Sequence, residues 1–164
     1  MSSVSEKPSE HVDLLLVCST GGHLLQLMAL REAWLPFTRT WVTFDKSDAR
    51  SLLASERVVF AYGPTNRSIK NLLRNVLVAA RVVRRVRPQV LITTGAGVAV
   101  PFAWVARLFG ARVVYVESLS RIREPSLSYR LIAPVAARRY VQWPELAESL
   151  AGSRYVGNVF SQIE

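Results

Sequence analysis

The chain has 164 residues, with 21 lysines and arginines against 12 acids for a net charge of +9; 50% of residues are hydrophobic and 20% are charged. That balance excludes a disordered chain or a collagen, and the single cysteine, Cys18, excludes a disulfide scaffold and fits a reducing compartment. The length suits one domain and is short for a two-domain enzyme.

Residues 1–11 are polar and read as a loose tail rather than a secretory signal, ahead of a single domain over 12–164. Asp13 to Cys18 is a short apolar run that suits a buried parallel strand, and Ser19-Thr20-Gly21-Gly22 ends it. A helix is predicted over His23–Trp34, a strand over Thr40–Phe44, a short helix over Asp48–Ser55 and a strand over Val58–Ala61. Ser68–Arg87 is the clearest helix: Ile69, Leu72, Leu73, Val76, Ala80 and Val83 share one face, while Lys70, Arg74, Arg81 and Arg85 gather on an adjacent arc. Val90–Thr94 is a strand, Thr94-Gly95-Ala96-Gly97 a turn, and Val98–Phe109 an apolar helix with Pro101 in its first turn and Gly110 as its stop. A strand over Arg112–Val116, a helix over Leu127–Ala137, a strand over Arg138–Gln142, a helix over Glu145–Ala151 and a strand over Arg154–Val156 complete the chain.

The alternation of apolar strands with helices implies an α/β fold: a Rossmann-like, doubly wound parallel sheet with helices on both faces. Ligands of such sheets bind at the carboxyl ends of the strands. Those ends carry Ser19-Thr20-Gly21-Gly22-His23, Thr94-Gly95-Ala96-Gly97 and Glu117-Ser118. A glycine turn opening a helix brings free N–H groups and the positive end of the dipole to an anion, typically a phosphate. His23 is placed to act as a base or donor, or simply to bond a neighbour at the helix start. Two such loops on one sheet edge suggest a diphosphate or two phosphorylated ligands. Glu117 can accept a sugar hydroxyl, or pair with Arg121 or Arg123.

No stretch passes as a membrane span, since the longest uncharged run, Pro88 to Ala106, is interrupted by prolines and glycines. Charge is unevenly placed. Between Glu56 and Glu117 there is no acid, while Arg57, Arg67, Lys70, Arg74, Arg81, Arg84, Arg85, Arg87, Arg107 and Arg112 fall in that interval. Such a field attracts phosphates, acidic lipids or nucleic acid, although an arginine-rich composition alone would produce the same asymmetry. The arc of Lys70, Arg74, Arg81 and Arg85 suits anionic lipid heads, with Val78 and Val82 or the Phe102, Trp104 and Phe109 region entering the interface or packing in the core. Nucleic acid is disfavoured because the cations are not interleaved with aromatic residues.

Sharper motifs fail or weaken. No Gly-Lys-Ser/Thr follows a glycine loop, so there is no P-loop. Gly95-Ala96-Gly97 followed by Glu117 approaches a dinucleotide fingerprint, but Val100 stands at its third glycine position, which leaves a nucleotide- or dinucleotide-binding module as the alternative. His11, His23 and Cys18 make no recognised metal cluster, and neither a nucleophile elbow nor a cofactor motif is present.

Four short motifs in order resemble one family: Cys18-Ser-Thr-Gly-Gly-His23, Thr94-Gly-Ala-Gly97 with its Pro101 helix, Val116-Glu-Ser118 with Arg121, and Val156-Gly-Asn158. Over roughly residues 12–160 the chain is similar to the acceptor-side, N-terminal half of GT-B glycosyltransferases that occurs as a separate polypeptide. Examples are the membrane-recruiting subunit of the dolichol-linked chitobiose-forming UDP-GlcNAc transferase and its bacterial exopolysaccharide and capsule counterparts. The N-terminal half of the peptidoglycan N-acetylglucosaminyltransferase is also similar. The resemblance implies an acceptor-binding, membrane-associating subunit of an inverting hexosyltransferase. Its partner, of similar size, holds the UDP-sugar, and its acceptor is a polyprenyl-diphosphate-linked saccharide on the cytoplasmic face of a membrane. Ser19, Thr20, Gly21, Gly22, Thr94, Gly95, Ala96, Gly97, Glu117, Ser118 and Arg121 would form the acceptor and phosphate site, with His23 as the candidate base and no metal. Val156-Gly157-Asn158 matches the join at which the fused enzymes cross into their second domain, and an end at Glu164 accounts for the short length. Two departures stand out: the hydrophobic anchor usual at the start of eukaryotic members is missing, and the second loop has one glycine fewer than the fused peptidoglycan enzyme.

Overall fold

A computed structural model describes residues 12–65 and 68–161; the tail expected over 1–11 lies outside them. The strands are β1 (Asp13–Cys18), β2 (Thr38–Phe44), β3 (Val58–Ala61), β4 (Val90–Gly95), β5 (Arg112–Val116), β6 (Ala136–Val141) and β7 (Arg154–Tyr155). The helices are α1 (Gly22–Ala29), α2 (Arg31–Trp34), α3 (Ser47–Leu52), α4 (Ile69–Val86), α5 (Ala99–Leu108), α6 (Leu127–Ile132) and α7 (Pro144–Ser149), with a 3-10 turn over Ala133–Val135.

The seven strands form one sheet in the order β3-β2-β1-β4-β5-β6-β7, and every pairing is parallel. The expected doubly wound fold is therefore present. Alternate residues of each strand serve opposite faces. Leu15, Val17, Val42, Leu91, Val113 and Tyr115 meet α4, α5 and α6 through Ala79, Val83, Phe102, Tyr129 and Ile132. Leu14, Leu16, Cys18 and Trp41 meet α1, α2 and α3 through Leu24, Leu27, Trp34, Ala49 and Leu53. Both faces of β1 are closed, which is why its sequence is an unbroken apolar run.

Three expectations are corrected. The helix read over His23–Trp34 is two, because Leu30 leaves helical geometry at φ −82°, ψ 23°. Trp34 then folds beneath α1, donating its indole N–H to the Leu27 carbonyl at 2.9 Å and meeting Trp41 edge to face at 5.3 Å. The helix read over Leu127–Ala137 gives way to a 3-10 turn at Ala133 and to β6 at Ala136, because Pro134 has no N–H to continue the ladder.

The third correction concerns α4. The face packed on the core is Asn75, Ala79, Val82 and Val83, while Ile69, Leu73 and Leu77 are 75%, 62% and 67% exposed. Asn75 decides this. Its amide takes the Tyr62 N–H and donates to the Tyr62 carbonyl, both at 2.9 Å, so it closes the edge of the sheet after β3 as another strand would. Small Ala79 then lets the helix approach closely. Of the six residues that periodicity marks as core, Val83 is buried and Ala80 half-buried, while Ile69, Leu72, Leu73 and Val76 lie at the surface, beside the exposed cations Lys70, Arg74, Arg81 and Arg85. Val82 is buried and Val78 half-buried, so neither is the exposed residue proposed from the sequence; Phe102 is buried as well, while Trp104 and Phe109 are exposed. No helix among the described residues is long and apolar enough to cross a membrane.

Candidate functional site

Strand order reverses between β1 and β4: β2 and β3 extend to one side of β1, and β5, β6 and β7 to the other. The loops leaving β1 and β4 therefore diverge and open a crevice at their carboxyl ends. Both glycine loops lie here, side by side. A cavity of about 430 Å³ occupies the crevice, lined by Ser19 and His23 of the first loop, Ala96 and Gly97 of the second, and Ser118, Ser120, Arg121 and Ser126 beyond β5.

His23 joins the two loops. Its Nδ1–H donates to the Thr94 carbonyl at 2.8 Å, and the Thr94 hydroxyl donates to the His23 carbonyl at 2.7 Å. A carbonyl partner requires a proton on Nδ1, so in the neutral ring Nε2 keeps its lone pair and can accept a proton.

The glycines divide their work. Gly21 has φ 72° and its missing Cβ would meet nothing within 4 Å, so the first loop is open to a ligand on that side. Its N–H, however, is taken by the Asp48 carboxylate at 2.8 Å. The donors left for an anion are those of the first turn of α1, which have no partner within the helix. Gly95 has φ 98°, and a Cβ there would lie 2.6 Å from the Tyr115 hydroxyl. Its N–H is turned inward to Thr93 Oγ1 at 2.9 Å. Gly95 and Thr94 thus shape the second loop from behind, and Ala96 and Gly97 present it to the cavity.

Glu117 is fully buried and lies behind the cavity wall. Its carboxylate accepts the N–H groups of Ser118 and Ser126, both at 2.8 Å, the Ser126 hydroxyl at 3.0 Å and the Tyr115 hydroxyl at 3.2 Å. Neither the sugar hydroxyl nor the arginine pairing expected from the sequence describes this setting. The carboxylate instead pins both ends of the loop that carries Ser118, Ser120 and Arg121. Burial together with the Glu117 charge pushes the Tyr115 hydroxyl far above its ordinary range, so it stays a neutral donor. Cys18 is likewise out of the chemistry, because burial pushes its thiol up to about 12.

Ser19, His23, Ala96, Gly97, Ser118 and Arg121 come together as expected; Thr20, Gly21 and Gly22 belong to the first loop, and Thr94, Gly95 and Glu117 support the wall. Lys70, Arg74, Arg81 and Arg85 are not part of this cavity. Sequence reasoning passed over Phe44, Pro64, Thr65, Ser120, Ser126, Leu127 and Ser128, all of which line it. The signal was the repeated serine in Ser118-Leu-Ser120 and Ser126-Leu-Ser128, two short polar runs bracketing a basic loop. Asp48 gave no signal, since its contact spans 27 residues.

Residues 14–159 match the family described as "Oligosaccharide biosynthesis protein Alg14 like". Proteins named "UDP-N-acetylglucosamine transferase subunit ALG14" are 27% identical in Debaryomyces hansenii, over 94% of this chain and 80% of that protein. The human protein of that name is 24% identical over 97% of this chain and 88% of its own length. Among solved structures, Acinetobacter baumannii MurG superposes with a TM-score of 0.71 at 16% identity, over 88% of this chain and 45% of that one. The UDP-N-acetylglucosamine 2-epimerase of Rickettsia bellii gives 0.70 at 12% identity, over 92% and 46%. At such identities the likeness is one of fold, and the chain spans less than half the length of either structure. The match over nearly all of the described residues places the chain in the Alg14-like family of oligosaccharide biosynthesis proteins.

Proposed function

We propose that the chain is the acceptor-binding, membrane-associating subunit of a two-chain inverting glycosyltransferase that moves a sugar from a UDP-sugar to a polyprenyl-diphosphate-linked saccharide in polysaccharide biosynthesis. The observation that carries this reading is the convergence of His23, the second glycine loop and Arg121 on one cavity at the switch point. It occurs in a chain whose relatives are named as subunits of a UDP-N-acetylglucosamine transferase.

In this reading Arg121 and the N–H groups at the start of α1 face the acceptor's diphosphate, and the serine-rich wall takes sugar hydroxyls. The acceptor oxygen attacks the anomeric carbon of the donor. The bond from that carbon to UDP breaks with its electron pair leaving on UDP, and the acceptor proton passes to His23 Nε2. The partner chain holds the nucleotide.

The membrane surface is α4 with the end of α5. Exposed Ile69, Leu73 and Leu77 lie next to Lys70, Arg74, Arg81 and Arg85, and a groove of about 820 Å³ lined by Leu77, Ala80, Arg81, Arg84 and Phe109 continues the patch toward exposed Leu108. Apolar side chains flanked by cations suit the boundary between acyl chains and anionic head groups, on the cytoplasmic face, at about 1 kcal/mol for each cation near the surface.

The test is transfer of labelled sugar from UDP-GlcNAc to a polyprenyl-diphosphate saccharide by this chain, by its partner, and by the two together. Turnover by the pair alone is expected; full turnover by the isolated chain overturns the split arrangement.

A further inference from the structure

Behind the cavity lie buried polar side chains that the reaction does not use: Gln26 of α1, Gln142 just past β6, and Glu117. A polar group inside a core is costly unless every donor and acceptor is matched, and a matched network fixes one arrangement of the elements it joins. This network is matched. The Gln142 side-chain oxygen Oε1 accepts the Val159 N–H at 3.0 Å, and its side-chain NH2 donates to Gln26 Oε1 at 2.7 Å and to the Glu117 backbone carbonyl at 2.8 Å. Gln26 Oε1 also accepts the Leu119 N–H at 2.8 Å, and its amide donates to the Gly22 carbonyl at 3.1 Å.

Two side chains therefore connect Val159 to Gly22 of the first loop and to Leu119 of the cavity's basic loop. Val159 closes a segment that begins with Val156, which is 77% exposed. The segment borders an apolar trough of about 720 Å³ shared with Leu30, Ile92, Val114 and Tyr140. Parallel sheets are ordinarily covered on both faces, and the matching solved structures are more than twice as long as the matched region.

We propose that Gln142 is a positioning residue that couples the seat of the donor-binding subunit, at 156–159 and its trough, to the acceptor cavity through Gln26. This rests on the two-chain reading above. A partner that fixes Val159 would order the first loop and the loop 118–126 together, so partner and acceptor would strengthen each other's binding.

The experiment uses the full chain with and without the donor-binding chain, and compares wild type, Gln142→Leu and Gln26→Met. The second variant keeps the bulk of Gln26 but removes the amide that links Gln142 to Leu119 and Gly22, outside the partner's seat, which covers the case in which Gln142→Leu does not fold. Hydrogen exchange is followed in peptides covering 19–26 and 117–126. In wild type, partner binding is expected to slow exchange in both segments by about tenfold or more. Both variants should bind the partner yet lose that response, with KM for the lipid acceptor raised about tenfold and KM for the UDP-sugar unchanged. Variants that keep the response and the acceptor KM overturn the coupling, as does a wild-type pair in which neither segment responds. An intact exchange response in a pair that transfers no sugar would instead sink the glycosyltransferase reading and leave the coupling standing.

Discussion

His23 and Thr94, on loops from neighbouring strands, exchange two hydrogen bonds, ring to carbonyl at 2.8 Å and hydroxyl to carbonyl at 2.7 Å. The pair fixes the width of the crevice and the tautomer of the imidazole at once. The same contact that ties the two loops together at the switch point also leaves Nε2 free to take a proton.

That double role can be separated. Asparagine places an amide N–H where Nδ1–H stands, so His23→Asn keeps the bond to Thr94 but removes the base. Its melting temperature should stay near that of wild type, while transfer by the assembled pair falls about 10²–10⁴-fold. His23→Ala should lose both activity and about 1 kcal/mol of stability through the orphaned Thr94 carbonyl. Thermal melts beside initial rates decide it: an active His23→Asn removes the base assignment.

The second loop carries measurable strain. Ala96 sits at φ 75°, a conformation that costs a residue with a Cβ about 1–2 kcal/mol. Ala96→Gly should therefore raise stability by a few tenths to about 1 kcal/mol, after glycine's own entropic cost. Gly95→Ala should do the reverse and more, since its Cβ would strike the Tyr115 hydroxyl at 2.6 Å and displace a donor from Glu117. A loss of about 3 kcal/mol or more in denaturant titration is expected there, and a neutral Gly95→Ala would contradict the packing described.

How much of this was legible depends on the range of the interaction. β1 and the two glycine loops could be read because a run such as Asp13–Cys18 and a turn such as Gly21-Gly22 announce themselves locally. The placement of both loops on one edge followed from the handedness of parallel crossovers. What stayed hidden was decided by partners far along the chain. Asn75 looks like a surface residue until Tyr62 is beside it, and turning α4 to suit Asn75 exposes the stripe that Ile69, Leu73 and Leu77 form. Glu117 looks like a ligand until Ser126 closes on it. Hydrophobic spacing identified the helix but not the face it buries, because an apolar stripe left at the surface and one facing a core have the same period.

Glu117 and Ser126 act as one clasp. The Ser126 hydroxyl donates to the Glu117 carboxylate at 3.0 Å and accepts the Tyr129 N–H at 3.1 Å, capping α6. Glu117→Gln replaces one of the two acceptor oxygens by an amide donor, which must face the N–H of either Ser118 or Ser126, and should cost about 1–3 kcal/mol. Amide exchange should rise in 118–126 while that of β1 is unchanged. Ser126→Ala should lose about 1 kcal/mol as a missing cap and loosen the same loop. Unchanged exchange in both variants would show that the loop is held by other contacts.

Cys18 gives a pH signature. Burial pushes its thiol up to about 12 from an ordinary value of 9.0, with the charge of Asp48 adding to the effect. The folded state holds this proton more tightly than the unfolded chain, so the associated stability is complete below about pH 9 and is lost as pH rises toward 12. Cys18→Ala should flatten that alkaline decline in chemical denaturation. The native thiol should also resist iodoacetamide at pH 8 until the chain unfolds; rapid native labelling would contradict its burial.

The stripe on α4 is open to a direct test, because its two components respond to different changes. Ile69, Leu73 and Leu77 are exposed, so replacing Leu73 and Leu77 with aspartate removes no core contact and should leave the melting temperature nearly unchanged. It should nevertheless abolish sedimentation with vesicles containing anionic lipid. Replacing Lys70, Arg74, Arg81 and Arg85 with glutamine should weaken binding by about 1 kcal/mol for each cation that reaches the head groups, and should remove most of the salt dependence. Vesicles of neutral lipid should bind the wild type weakly at any ionic strength. Undiminished binding by the Leu73, Leu77 double variant would move the membrane contact elsewhere, and the exposed stripe would then need a protein partner to cover it.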